Sequence, residues 1–237
     1  MGVVGLVRHH PLAAIWLAVF LFLLGAVIGL VVIHPLASRF IIRRQTTVET
    51  VRYLVSVRFP SGGSHTPLEW TQDRTVRALV DGMEYFAIQY SYGDVSHRVD
   101  VECIEGGDCR EQWHDESSGL RFCRVWFPRP LRKGEEHRFV IRLTVPPGAP
   151  PCPPFLTVTP THLMSNVKFH ITFAGAMPRA CWSSYWVSSA NPVFDGQMEI
   201  AKECRKEVLR PNSSGIVEDF RRHTKPGHRY GITWAWT

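Results

Sequence analysis

Residues 11–33, PLAAIWLAVFLFLLGAVIGLVVI, run for twenty-three positions without a charge and hold one proline, at the first of them. About 20 apolar residues at ~1.5 Å each cross the hydrocarbon core of a bilayer, and a lone segment there must be helical because lipid offers its backbone no hydrogen-bond partners. The run is longer than the roughly 7–15-residue apolar core of a cleaved secretory signal. Pro35-Leu36-Ala37-Ser38, just beyond it, makes a poor cleavage site. The chain of 237 residues is therefore expected to divide into a flank (1–10), a transmembrane helix (11–33), a basic collar (34–45) and one water-soluble domain (46–237).

Charge follows the same division. Arg8, Arg39, Arg43 and Arg44 stand among the first 45 residues with no acid, and so supply +4 of the formal +6. The domain keeps only +2, which argues against nucleic acid as its partner. Arg39, Arg43 and Arg44 follow the span directly, with only Arg8 before it, so the positive-inside bias predicts a single-pass membrane protein with its domain in the cytoplasm. Such a collar sits among lipid headgroups. Six cysteines (Cys103, Cys109, Cys123, Cys152, Cys181 and Cys204) allow fifteen pairings into three disulfides. Free, buried thiols are the expected state in a reducing compartment. Cys103 and Cys109 flank a Glu105-Gly106-Gly107-Asp108 turn and are expected to face each other across a hairpin.

Past the collar, Tyr53, Val55, Val57 and Phe59 alternate with Leu54, Ser56 and Arg58, the period of a half-buried strand. Further short runs follow at 85–92, 98–104, 120–127, 138–145, 155–159, 167–173, 185–188 and 230–236, separated by Gly-, Asn- and Pro-containing turns. Many short, alternating strands predict an all-β, sandwich-like domain. One helix is expected over Gln197–Leu209, where Met198, Ala201, Cys204 and Val208 would share a face. Residues 146–154 contain six prolines in nine positions, too many for a central strand, and suit a crossover between sheets.

No phosphate-binding loop, dinucleotide fingerprint, zinc-protease or nucleophile-elbow motif occurs, and no CxxC. Asp94, His97 and Asp100 would point to alternating faces of a strand, and the spacing of Cys103, Cys109, His114 and Cys123 fits no compact zinc knuckle. Neither catalytic residue, cofactor nor metal is expected. Arg121, Arg124, Arg129, Arg132, Arg138 and Arg142, interleaved with Phe122, Trp126, Phe127 and Phe139, form a candidate patch for an anion or a partner. The plainer reading of those strands puts aromatics in the core and arginines in water.

Two passages carry a resemblance. Pro130-Leu131-Arg132-Lys133-Gly134-Glu135-Glu136-His137-Arg138-Phe139 leads into a strand, and the chain closes on Tyr230-Gly231-Ile232-Thr233-Trp234-Ala235-Trp236, a YGxxWxW ending. Together they resemble the uncharacterised β-rich carboxyl-terminal domains of many actinobacterial proteins, often placed behind a helix-turn-helix module. The resemblance implies a cytoplasmic β-sandwich that senses or docks, without catalytic residues to carry over; here a membrane span stands where that module would be. The expected function is a membrane-tethered, non-enzymatic domain binding a small molecule or protein. An alternative is a membrane-perturbing effector whose helices self-associate through Gly25 and Gly29, a GxxxG spacing. Another alternative is an enzyme with a dispersed site.

Overall fold

Alternation of apolar and polar side chains at Tyr53–Phe59 is realised in β1 (Val48–Phe59), whose Tyr53, Val55, Val57 and Phe59 are buried while Arg58 is exposed. The computed structural model describes residues 47–61, 66–67, 69–90, 99–115, 120–146, 151–175, 177–187 and 204–236. The expected span, the collar, Gly25 and Gly29 lie outside the described residues, as do Asp94 and His97. Among the described residues no helix is long and apolar enough to cross a membrane.

Those residues are all-β. After β1 come β2 (Glu69–Ala78), β3 (Met83–Tyr90), β4 (Asp100–Glu105), β5 (Asp108–Asp115), β6 (Leu120–Leu131) and β7 (Glu136–Thr144). Then follow β8 (Phe155–Val158), β9 (Ser165–Phe173), β10 (Ala180–Val187), β11 (Arg205–Leu209), β12 (Ile216–His223) and β13 (His228–Ala235). They form a six-stranded sheet in the order β12-β9-β1-β2-β7-β4, a four-stranded sheet β11-β10-β13-β8 and a three-stranded sheet β3-β6-β5. Among the described strands only β1 and β9 pair in parallel, Tyr53 opposite Val167 through Phe59 opposite Phe173.

One face of the large sheet is buried along its whole width. Register places Phe169, Val55, Gln72, Ile141 and Cys103 side by side on it. The small sheets divide that face between them. Over β2, β7 and β4 lies β3-β6-β5, enclosing Val76, Phe86, Ile88, Val125, Phe139 and Ile141. Over β12, β9 and β1 lies β11-β10-β13-β8, enclosing Val57, Phe59, Phe169, Phe173, Ile232 and Trp234. The result is a sandwich-like, two-layer arrangement. Trp70 and Cys152 pack against both cores.

The chain moves repeatedly between layers, and local chemistry permits each crossing. Gly106, at φ 79°, turns the chain from β4 into β5; a Cβ there would stand 2.1 Å from the Arg138 carbonyl oxygen, so only glycine fits. β4 pairs with β7 and β5 with β6, which corrects the expected hairpin: Cys103 and Cys109 belong to different sheets. Pro128 and Pro130 fall where the β3–β6 register shifts between Met83 and Tyr85, the irregularity in which proline is tolerated. Pro151 to Pro154 carry the chain from β7 to β8, and the Pro154 carbonyl accepts from the Trp234 amide at 2.9 Å.

The expected helix over Gln197–Leu209 is overturned at its described end. Arg205–Leu209 is strand β11, with Val208 opposite Trp182 and Leu209 opposite Cys181. Val208 is 63% exposed rather than on a buried helical face. Ladder hydrogen bonds to β10 outweigh the weak local preference of a five-residue segment for helix.

Candidate functional site

On β6, Cys123, Val125 and Phe127 point into the core, so by the period of a strand Phe122, Arg124 and Trp126 point to the opposite face. Register sets Tyr85 of β3 beside Trp126, and Trp113 of β5 beside Phe122. The rings meet accordingly. Trp113 stacks on Phe122 with centroids 5.2 Å apart, and Tyr85 leans on Trp126 at 5.0 Å. Arg124 lies between the two pairs, 4.8 Å from the Tyr85 ring centre and 5.3 Å from that of Trp113. Tyr85 is 38% exposed and Trp113 40%. This is an aromatic platform on the outward face of the small sheet, with one guanidinium at its centre.

Charge on the platform is balanced locally. Arg124 pairs with Glu111, which sits in the β5–β6 bulge at φ 54°, and Arg110 pairs with Asp108 at 2.6 Å. Flat rings and a neutralised cation suit stacking and burial better than capture of a free anion.

The six candidate arginines do not form one patch. Arg121 opens β6 opposite Tyr90. Arg129 lies near the end of β6, where it donates to Glu135 and holds that carboxyl below the usual carboxylate range. Arg132 lies just past β6, and its backbone amide donates to Glu135 at 3.0 Å. Arg138 and Arg142 stand on β7, on the outer face of the large sheet and so on the far side of the sandwich. There Arg138 joins Asp73 at 3.0 Å and also Glu105, and Arg142 bridges Glu69 and Glu102. Ion pairs of Arg77 with Glu49 and Glu136 and of Lys168 with Glu218, and a hydrogen bond between His170 and Glu218, extend this solvent-facing lattice. A depression of about 210 Å³ opens within it between Arg58, Glu69, Thr71 and His170.

No family model matches the chain, and no curated protein matches it. Among solved structures, a candidate protease from Parabacteroides distasonis ATCC 8503 is similar at a TM-score of 0.42 and 12% identity, over 79% of this chain and 40% of that one. The M1 zinc metallopeptidase of Deinococcus radiodurans is similar at a TM-score of 0.40 and 13% identity, over 80% of this chain and 43% of that one. The chain spans less than half the length of either. Likeness this loose says nothing about activity here.

A second polar feature is internal. Arg74 points into the sandwich at the join of the two cores, 7% exposed, 4.1 Å over the Tyr53 ring and 5.4 Å from that of Phe86. It donates to Gln72 Oε1 at 3.0 Å, and its Nε finds no acceptor among the described residues. Nearby, His162 Nε2 and Thr50 Oγ1 are hydrogen-bonded at 2.7 Å. Burial, and then the charge of Arg74, press the imidazole down to about 4. Ser183 is likewise engaged: its hydroxyl donates to Asp219 at 3.1 Å and accepts from Arg221. Among the described residues no group of three or more His, Cys, Asp or Glu side chains converges on a metal-sized space.

Proposed function

We propose that this chain is a membrane-tethered, non-enzymatic β-domain that docks a protein partner through the Tyr85–Trp126–Arg124–Trp113–Phe122 platform. The observation that carries this reading is the exposure of Trp and Tyr rings around an arginine on an outward strand face. Trp, Tyr and Arg dominate binding energy at protein interfaces, because large amphipathic rings bury much area at little entropic cost. Residues 11–33 supply the tether, and the arginine collar places the domain on the cytoplasmic side.

The test uses the full chain in the membranes of its own cells. A photo-crosslinking residue at Trp113 is compared with one at Glu102, on the opposite side of the sandwich. A discrete adduct at position 113, absent at 102 and lost on Tyr85→Ala in the same chain, is the expected result. No adduct at 113, or equal labelling at both positions, refutes the docking face.

A further inference from the structure

Behind the platform, on the inner side of the same two strands, two sulfurs nearly touch. Cys109 of β5 and Cys123 of β6 both face the core, and their Sγ atoms stand 2.7 Å apart. Unbonded carbon atoms settle at about 3.5–4.0 Å, and sulfur is larger, while a disulfide bond is about 2.05 Å long. None of the six cysteines is disulfide-bonded in the structure, so Cys109 and Cys123 are a reduced pair in direct contact.

The neighbours sharpen the assignment. Cys103, the thiol expected from sequence to face Cys109, instead turns its S–H to the Glu105 carbonyl at 3.1 Å. Cys181 is fully buried and Cys152 partly so, and burial in apolar surroundings pushes each thiol up to about 12, which disfavours the thiolate. The Cys109 and Cys123 thiols hydrogen-bond to each other, and either sulfur can be the donor. Cys123 is fully buried, whereas Cys109 is half-buried, which makes Cys109 the more accessible of the two.

We infer that Cys109 and Cys123 form a built dithiol site that closes to an internal disulfide by exchange with a small-molecule disulfide. Cys109 gives its proton to water and becomes the thiolate. Its sulfur attacks one sulfur of the external disulfide, forming a mixed disulfide and expelling one thiolate, which takes a proton from water. Cys123 then gives its proton to water and attacks the Cys109 sulfur. The new S–S bond expels the second thiolate, which is protonated in turn. Two protein thiols are oxidised and one external disulfide is reduced to two thiols. The bond would tie β5 to β6 across the bulge that carries Glu111, without moving either strand to another sheet. This inference does not depend on the docking reading.

The sequence provides a clean assay. Trypsin releases Phe122–Arg124 with Cys123, and a glutamate-specific protease separates Cys103–Glu105 from Gly106–Arg110. The full chain is incubated with oxidised glutathione, and its remaining thiols are alkylated before digestion and mass spectrometry. The expected product is peptide 106–110 joined to peptide 122–124, in most molecules, with Cys152 and Cys181 unmodified. Cys109→Ser should abolish the joined species while leaving Cys103 alkylatable as before. Both thiols remaining alkylatable, glutathione persisting on Cys109 without transfer, or Cys103 replacing Cys109 in the linkage would each overturn the inference. Thermal melting of the Cys109→Ser chain separates a failure to fold from a failure to bond.

Discussion

His162 and Arg74 lie in one buried region, and the imidazole there responds to pH. The folded imidazole titrates near 4 rather than at 6.5, because burial and then the Arg74 charge oppose its protonation. Its contribution is fully present above pH 6.5 and is lost as pH falls through about 4, since the unfolded chain binds the proton more readily in that window. The difference corresponds to about 3 kcal/mol. Urea midpoints should therefore fall between pH 6.5 and 4, and His162→Gln, which can keep a hydrogen bond to Thr50, should flatten that part of the curve. A wild-type midpoint unchanged across the window would contradict the assignment. Arg74 is a buried cation whose hydrogen bond goes to an amide, so Arg74→Met should be neutral or stabilising by about 1 kcal/mol or more. It should also move the His162 transition to higher pH, as read by NMR of the imidazole. By contrast, Arg138 lies in water with its partners, and Arg138→Ala should cost less than about 1 kcal/mol in the same urea titration.

Elements were legible where one face is wholly apolar. Phe139, Ile141 and Leu143 against Arg138 and Arg142 mark β7, and Val167, Phe169, Ile171 and Phe173 mark β9, both by parity alone. β2 escaped because its buried face carries Gln72 and Arg74 beside Val76 and Ala78, so no apolar alternation is visible. β5 and β12 escaped because their side chains are mostly polar and show no apolar alternation, so that neighbouring ladders chiefly hold them. The candidate site was half legible for the same reason. Phe122, Arg124 and Trp126 share parity in the sequence, which places these aromatics with the arginine on the outside and not in the core. Tyr85 and Trp113 join them only through cross-strand register, and a missed β5 hides that register. Trp113→Ala should therefore weaken partner docking while lowering stability by only about 0.5–1.5 kcal/mol, the value of one aromatic pair, as read by thermal melting. Gly231 of the YGxxWxW ending has a structural role: a Cβ would lie 2.0 Å from the Leu156 carbonyl oxygen of β8. Gly231→Ala should cost about 1–3 kcal/mol by overpacking and part β13 from β8, visible as faster amide exchange at Ile232.

Across the whole molecule, the two cores are backed by one continuous sheet, with β1 and β2 hydrogen-bonded at its centre and Trp70 and Cys152 reaching into both cores. Neither half can open without exposing the edge of the other. Phe139→Ala in one core and Phe169→Ala in the other should each cost about 3–5 kcal/mol. Each should also lower the same single urea transition, followed by far-UV circular dichroism and by tryptophan fluorescence. Two separated transitions would show that the halves unfold independently.

The parallel pairing of β1 with β9 fixes an order of assembly during synthesis. The strands β2 to β7 supply one core and its cover within residues 69–144, so that half is complete soon after it leaves the ribosome. β1 is made first of all, yet its other flank waits for β9 more than a hundred residues later and for β12 and β13 after that. Pairings of such long range are slow to form. Until β9 is made, the growing chain therefore carries Tyr53, Val55, Val57 and Phe59 on a strand with one edge unpaired, where a neighbouring nascent chain or a chaperone is the first partner to arrive.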